Sequence, residues 1–117
     1  MLQNFGVCMK IHSILGQGFK EVVYKDALEV EFIKNNIPFE RERKFRIIYE
    51  GVELKRKFVI DFLVFDAIVL EIKAQYAMPN PTLRQTLNYL KASTVQLGIM
   101  INFGESRLKF QRVVCTH

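Results

Sequence analysis

Two charged side chains, Glu71 and Lys73, lie inside a short apolar run, and a lone aspartate, Asp61, lies ten residues earlier in another such run. Short β-branched runs are typical of strands that are buried on both faces. Charged side chains are rarely buried unless they are paired or bind a metal ion. The pattern therefore favours a divalent-cation site with a lysine beside it, which suits the hydrolysis of phosphodiester bonds.

The oxygen ligands that these residues offer suit a magnesium ion. Mg²⁺ prefers oxygen ligands and keeps several waters, so two carboxylates, Asp61 and Glu71, joined by the backbone carbonyl of Ile72, are enough. Glu71 and Lys73 are two apart on a strand and share a face. The cation would polarise a phosphate and activate water, and Lys73 would orient the nucleophile or offset developing charge. The alternative is a salt bridge between Lys73 and one of the acids.

Two pairs on predicted helices extend this candidate site. Gln85 and Tyr89 are four residues apart, so both can face one spot and hold a phosphate or a metal-bound water; the alternative is an ordinary polar helix flank. Glu21 and Tyr24 are three residues apart on an earlier helix. Glu21 would be an outer ligand or a water acceptor, or else simply the ion-pair partner of Lys25 one turn later.

The elements that must position these residues follow from hydrophobic periodicity. It predicts three helices, at about Asn4–Leu15, Gly18–Asn35 and Thr82–Thr94. The third is preceded by a loop at Met78–Pro81, in which Asn80 is a candidate N-cap and Pro81 takes the first helical position. The second helix carries one apolar stripe from Phe19 to Ile33 and another of Tyr24, Leu28 and Phe32, with Glu21 beside the latter. We therefore expect this helix to be packed on two sides.

Five strands are predicted from alternating or continuous apolar runs. They span about 39–49, 52–65, 68–74, 97–103 and 107–111. The first three form an antiparallel meander with turns at Glu50–Gly51 and Phe65–Ala67, which brings Asp61 near Glu71. The fourth strand is expected to be buried and the fifth to be an edge strand. The order α-α-β-β-β-α-β-β predicts an α/β domain with a mixed sheet flanked by helices.

Composition narrows the class of protein. The chain has 117 residues, half of them hydrophobic, and a net charge of +5. This length predicts one domain, residues 1–117, and the composition argues against disorder. Cys8 and Cys115 lack the spacing of a zinc site or a disulfide framework, which fits a reducing cytoplasm. The sequence shows no export signal and no apolar run of membrane-spanning length, so no membrane partner is expected.

The basic residues favour a polyanionic partner, namely nucleic acid. They cluster at Arg41, Arg43, Lys44, Arg46, Lys55, Arg56 and Lys57. The alternative is that they are solvated strand faces and hairpin ends. The two histidines, His12 and His117, are excluded from the metal site, because a lone helical histidine is more often structural and His117 is the last residue.

Several motifs together resemble a known family. Gly18–Tyr24 matches the GxxExxY pattern that names a family of small bacterial and archaeal proteins. Further stretches resemble the same family: Ile37–Glu42, Asp61–Val64, Val69–Ala74, Leu87–Ala92 and Gly98–Gly104. The resemblance runs from about Val7 to Val114. That family is similar to the PD-(D/E)XK nuclease superfamily, whose restriction-endonuclease-like core is a mixed sheet flanked by helices.

The resemblance implies a role for each candidate residue. Asp61 matches the acidic metal ligand of the superfamily, Glu71 and Lys73 match its (D/E)XK pair, and Glu21 matches its first-helix acid. Gln85–Tyr89 is similar to the QxxxY element of RecB-like nuclease domains. The residue before Asp61 is Ile60 instead of proline, which departs from the pattern that names the superfamily.

The function implied is that of a Mg²⁺- or Mn²⁺-dependent nuclease that hydrolyses DNA or RNA. We expect activity to need a homodimer, because one small domain cannot enclose both strands of a duplex. The alternative is a catalytically idle nuclease-like module that binds nucleic acid or a protein partner.

Overall fold

The computed structural model describes residues 2–76 and 80–116. They form α1 (Leu2–Leu15), α2 (Glu21–Lys34), β1 (Phe39–Tyr49), β2 (Val52–Val64), β3 (Ile68–Lys73), α3 (Asn80–Ala92), β4 (Leu97–Asn102) and β5 (Lys109–Val114). The predicted order of elements is confirmed. Several boundaries were wrong: α1 begins two residues earlier and α2 three residues later than expected, α3 begins and ends two residues earlier, and β5 begins two residues later and extends to Val114. Met78 and Pro79 of the predicted loop and the terminal His117 lie outside the described residues, whereas Asn80 and Pro81, predicted as the end of that loop, belong to α3.

The five strands form one mixed sheet in the order β1-β2-β3-β4-β5. Neighbouring strands are antiparallel except β3 and β4, which are parallel. Parallel neighbours need a long crossover connection, and α3 is that connection. The antiparallel meander, the mixed sheet and the edge position of β5 are therefore confirmed.

Each face of the sheet has its own core. On one face α1 and α2 cover a large cluster that includes Tyr24, Leu28, Phe32, Phe62 and Leu70. On the other face α3 covers a smaller cluster of Ile60, Leu63, Val69, Leu90 and Val95. Glu71 follows Val69 at a spacing of two residues, so it lies on the α3 face.

The prediction that α2 is packed on two sides was wrong. Its Tyr24 stripe is buried, but Val22, Val30 and Ile33 of the other stripe are 52%, 54% and 62% exposed. Apolar spacing shows which residues share a helix face and not whether another element covers that face. In the described part of the chain α2 contacts α1 and β3, and its outer stripe stays exposed.

The long β1–β2 hairpin changes face at Asp61. Ile60 packs in the α3-side core and Phe62 in the opposite core, although residues two apart on a regular strand share a face. Glu42, which the register places opposite Asp61, has φ +56°. Side chains other than glycine rarely adopt this left-handed conformation. The irregularity therefore affects both strands at the position of the predicted metal ligand.

No helix in the described ranges is long and apolar enough to cross a membrane.

Candidate active site

The candidate site lies where β2 separates from β3. Ladder pairing between these strands covers only Val64–Ile68, Leu63–Val69 and Phe62–Leu70. At the next position the Asp61 side chain replaces the backbone as the hydrogen-bond acceptor. Its Oδ2 accepts a hydrogen bond of 2.7 Å from the Ile72 N–H. The side chain thus occupies the gap where a backbone partner would lie, which fixes the Asp61 carboxylate next to β3.

Glu71 is buried beside Asp61. Glu71 is 5% exposed, and its Oε1 atom has no hydrogen-bond partner in the described residues. Burial, followed by the charge of Asp61, raises the pKa of Glu71 well above its usual range, against the opposing charge of Lys73. A buried carboxyl in this condition holds a proton at neutral pH, or else needs a cation to ionise.

The backbone of β3 directs a third oxygen to the same gap. The Lys73 carbonyl accepts a hydrogen bond of 2.8 Å from Phe103 N, so it points towards β4. Carbonyl directions alternate along a strand, as side chains do. The Ile72 carbonyl therefore points the other way, towards β2 and Asp61, on the same edge as the Ile72 N–H that Asp61 binds.

Lys25 of α2 is a site residue that sequence reasoning missed. Its Nζ lies 3.1 Å from Asp61 Oδ1 and also forms an ion pair with Glu42. Burial lowers the pKa of Lys25, but hydrogen bonds and charges from Glu42 and Asp61 outweigh burial, and its pKa is raised. The alternative interpretation of Glu21, as the ion-pair partner of Lys25, was wrong: no such pair is formed in the described structure. The sequence signal was present, since Lys25 is one helical turn from Glu21, but its partner depends on the fold.

Lys73 and Glu21 both lack an ion pair. Across the described residues, no carboxylate oxygen lies within 4.0 Å of the Lys73 ammonium, so the salt-bridge alternative was wrong. Glu21 is the first residue of α2, and its Oε2 is buried without a hydrogen-bond partner among the residues described. Its companion Tyr24 is structural, because the Tyr24 hydroxyl donates to the Gly16 carbonyl at 2.6 Å.

The two α3 candidates differ in environment. Tyr89 is half-buried, and its pKa is raised by burial and then by the charges of Glu71 and Asp61, so its hydroxyl lies within electrostatic reach of both carboxylates. The Tyr89 ring stacks on Phe58 with centroids 4.7 Å apart. Gln85 is exposed one turn earlier. Tyr89 is therefore the α3 candidate that feels the charges of both carboxylates, whereas Gln85 is exposed to solvent.

The donor set fits a magnesium ion. No group of three or more His, Cys, Asp and Glu side chains close enough to hold a metal occurs in the described ranges. Mg²⁺ does not need such a cage, since it is commonly bound by one or two carboxylates and completes its shell with waters. Asp61, Glu71 with its unpaired oxygen and the Ile72 carbonyl supply hard oxygen ligands of that kind.

The sequence model of the PD-(D/E)XK nuclease superfamily matches residues 2–113. This chain belongs to that superfamily. The crystal structure of SSO0001 has the same fold, with a TM-score of 0.64 and 21% identity. The alignment covers 79% of this chain and 48% of SSO0001, so the chain spans about half the length of that protein. A search of curated proteins found no significant match.

A further positioning residue within the superfamily core is Asn102, at the end of β4. Its side chain is fully buried, and its Oδ1 accepts hydrogen bonds from the backbone N–H groups of Gln75 and Gly104. Its Nδ2 donates to the Gln75 carbonyl and to Glu105. These bonds fix the chain as it leaves Lys73. The sequence indicated only a turn here, because an asparagine two residues before a glycine does not reveal which distant backbone it binds.

Arg41 and His12 both have partners within the fold. Arg41 is not free to bind a polyanion, because it pairs with Asp26 at 2.8 Å and with Glu29 at 3.5 Å. His12 has a structural role, since its Nε2 lies 3.0 Å from the Glu105 carbonyl oxygen. The remaining basic residues of the predicted cluster lie on β1 and β2 beyond the site.

Proposed function

We propose that this chain is a Mg²⁺-dependent nuclease that hydrolyses phosphodiester bonds of DNA or RNA. The observation that carries the proposal is the placement of two carboxylates, Asp61 and Glu71, in the gap between β2 and β3, one of them with an unpaired buried oxygen. Membership of the PD-(D/E)XK superfamily supports it. An unpaired buried carboxylate oxygen costs stability, which is consistent with a group kept for binding a ligand.

In this proposal Asp61, Glu71 and the Ile72 carbonyl hold Mg²⁺, or Mn²⁺ in its place. A bound cation of this kind lowers the pKa of its water and polarises the phosphate. Lys73 holds the attacking water or offsets charge in the transition state, which its freedom from ion pairs among the described residues supports. Glu21 assists as an outer acceptor for water, in keeping with its unpaired buried oxygen.

The phosphate is positioned by Gln85 and Tyr89. The electrostatic coupling of Tyr89 to both carboxylates supports this role. A phenol close to two acids donates a hydrogen bond readily and does not ionise at neutral pH, so it suits an anionic phosphate oxygen. Gln85 is exposed and free to meet a substrate one helical turn away.

We propose that the chain is a single domain, that it belongs within the superfamily to the group with the GxxExxY motif, and that it acts in the cytoplasm. We also propose that it works as a homodimer. Light scattering coupled to size-exclusion chromatography tests the last point, with a molar mass of one chain as the result that contradicts it.

Cleavage assays test the proposal directly. Purified protein is incubated with labelled single- and double-stranded DNA and RNA, with Mg²⁺, with Mn²⁺ and with EDTA. We expect cation-dependent cleavage that falls about 100-fold or more in Glu71→Ala and in Lys73→Ala. Lys109→Ala, which removes an exposed lysine on β5, is the matched control and should cleave normally. Cleavage that survives in both site variants would come from a contaminant and reject the assignment.

The second candidate function is that of an idle module that binds nucleic acid or protein. The observation in its favour is that the Lys25 ammonium forms an ion pair with Asp61 and so offsets the charge of a proposed metal ligand. Calorimetric titration with Mn²⁺ separates the two candidates. Absence of Mn²⁺ binding, together with nucleic-acid affinity that falls with salt, favours the module.

A further inference from the structure

The distal half of the β1–β2 hairpin projects from the sheet as a two-stranded arm, residues 43–58. Because β2 pairs with β3 only from Phe62 to Val64, these residues have no sheet neighbour other than each other. Residues 48–57 are all exposed. The base of the arm packs through Phe45 and Phe58 on the α3-side core, but its exposed part, residues 48–57, is a two-stranded ribbon of the kind that is marginally stable in water. An arm of this length is therefore expected to have a partner.

The arm accounts for most of the net positive charge of the chain. It holds six basic and two acidic side chains, a net charge of +4, whereas the whole chain has +5. Within the described structure, Lys44, Lys55, Arg56 and Lys57 form no ion pair; Arg43 contacts Glu40 and Arg46 contacts Glu53. Four unpaired cations on a narrow ribbon are complementary to a polyanion.

The strands are irregular where these cations concentrate. The register shifts between Arg46 and Ile48, so that three residues of β2, from Leu54 to Arg56, lie opposite the single residue Ile47. Bulges of this kind twist a ribbon and re-aim its side chains. Exposed apolar side chains accompany the cations near the tip: Ile48, Tyr49, Val52 and Leu54.

The base of the arm is joined to the candidate site by a stack of rings. The Arg43 guanidinium lies 5.1 Å from the centroid of Phe45, and Phe45 stacks on Phe58 at 5.2 Å. Phe58 in turn stacks on Tyr89 at 4.7 Å with the ring planes 3° apart. The stack therefore fixes the base of the arm relative to Tyr89. A long ligand bound along the arm would extend past this base towards the two carboxylates.

We propose that this arm binds the major groove of B-form duplex DNA. The major groove is about 12 Å wide and admits a two-stranded β-ribbon. The arm is such a ribbon, and seven residues of β1 within it span roughly 20 Å. The major groove of an RNA duplex is too deep and narrow for side chains to read. The basic side chains would contact phosphates, and the exposed apolar ones would contact thymine methyl groups.

This inference rests on the proposed function and names its substrate class. Binding is measured by fluorescence anisotropy on Glu71→Gln protein in EDTA, so that no cleavage occurs. The ligands are a 20-base-pair DNA duplex, its single strand and the corresponding RNA duplex. The arm variant is Lys55→Gln/Arg56→Gln/Lys57→Gln. The matched control, Arg107→Gln/Lys109→Gln/Arg112→Gln, removes equal charge from exposed positions at and just before β5, on the opposite edge of the sheet.

We expect DNA duplex to bind more tightly than either other ligand. The arm variant should bind it at least about tenfold more weakly at low salt, with a shallower salt dependence, because each lost phosphate contact reduces the slope of log K against log[salt] by about 0.9. The β5 control should retain most of the affinity. All substituted side chains are exposed, and thermal denaturation checks that both triple variants remain folded.

The inference is overturned if arm and control variants bind equally, if RNA duplex binds as well as DNA, or if the arm variant changes the molar mass of the free protein, which would make the arm a contact between copies. Its failure is separable from that of the proposed function. Arm-dependent binding without cleavage by the wild-type protein rejects hydrolysis and keeps the arm. Cleavage with unaltered duplex binding in the arm variant rejects the arm and keeps hydrolysis.

Discussion

At the scale of single residues, the two acids of the site are treated differently by the fold. Asp61 receives hydrogen bonds from the Ile72 N–H and from Lys25, whereas Glu71 has a buried oxygen without a partner in the described structure. A buried carboxyl without a full set of partners costs free energy. Glu71 therefore lowers the stability of the cation-free protein. This cost indicates that the Glu71 carboxyl serves the binding of a ligand and not folding.

Replacing Glu71 with glutamine is expected to stabilise the cation-free protein. The folded-state pKa of Glu71 is raised above the unfolded value, so the unfolded chain loses this proton first as pH rises. The stability of the wild-type protein then falls with increasing pH above about 4.5, whereas a glutamine at this position has no proton to lose. Urea denaturation in EDTA should show Glu71→Gln more stable by about 1–3 kcal/mol at pH 8 and nearly equal at pH 4.5. A gap that does not change with pH would contradict this explanation.

Lys25 is expected to compete with a cation for Asp61. In Lys25→Met, Asp61 Oδ1 loses its ammonium partner, so cation-free stability should fall by about 1–3 kcal/mol. Mn²⁺ affinity should rise several-fold, because the site gains negative charge. Lys25→Arg keeps the charge and is the control. Calorimetric titration gives both affinities, and weaker Mn²⁺ binding in Lys25→Met would show that Lys25 supports the cation instead of competing with it.

At the scale of elements, the local pattern predicted those features that depend on neighbours in sequence. The turn at Phe65–Asp66, where both residues have positive φ, lies between two apolar runs and sets the register that brings Asp61 to Glu71. The burial of β3 and β4 was visible as continuous apolar runs. These predictions worked because strand pairing across a short turn is a local property.

Features that depend on distant contacts could not be predicted. The change of face at Asp61, the partner of Lys25 and the exposed outer stripe of α2 all depend on what packs from another part of the chain. Glu42 gives no sequence signal of its left-handed conformation, since glutamate is not a residue that favours it. Residue types and spacing thus indicated the acids of the site, but not the distortion and the lysine that position them.

The conformation of Glu42 allows a test in which backbone and ion pair are separated. Glu42→Gly and Glu42→Ala both remove the pair with Lys25 and differ only in backbone preference. In an ordinary strand glycine is less stable than alanine, but at φ +56° the order should reverse. We expect Glu42→Gly to be more stable than Glu42→Ala by about 1 kcal/mol in urea denaturation. The opposite order would show that β1 does not adopt this conformation in solution.

At the scale of the whole molecule, opposite charges are separated along the hairpin. Its base holds the acidic site, where Asp61 and Glu42 meet Lys25, and its distal half holds a net charge of +4. A polyanion is attracted by the arm and repelled by ionised carboxylates at the base. A divalent cation between Asp61 and Glu71 removes that repulsion, so cation binding and substrate binding should favour one another.

Cation binding should also be coupled to proton release by the whole protein. Because burial and Asp61 raise the pKa of Glu71, the cation-free protein holds a proton there at pH 7, and a cation that binds both carboxylates must displace it. We expect about one proton released per Mn²⁺ bound, and an apparent affinity that rises up to about tenfold per pH unit until Glu71 ionises by itself. Calorimetry at pH 7 in two buffers of different ionisation enthalpy counts the proton, with Asp61→Asn as the control that binds no cation. Mn²⁺ binding with no proton released would mean that Glu71 is already ionised in the free protein, and that its buried oxygen has a partner which stabilises the charge.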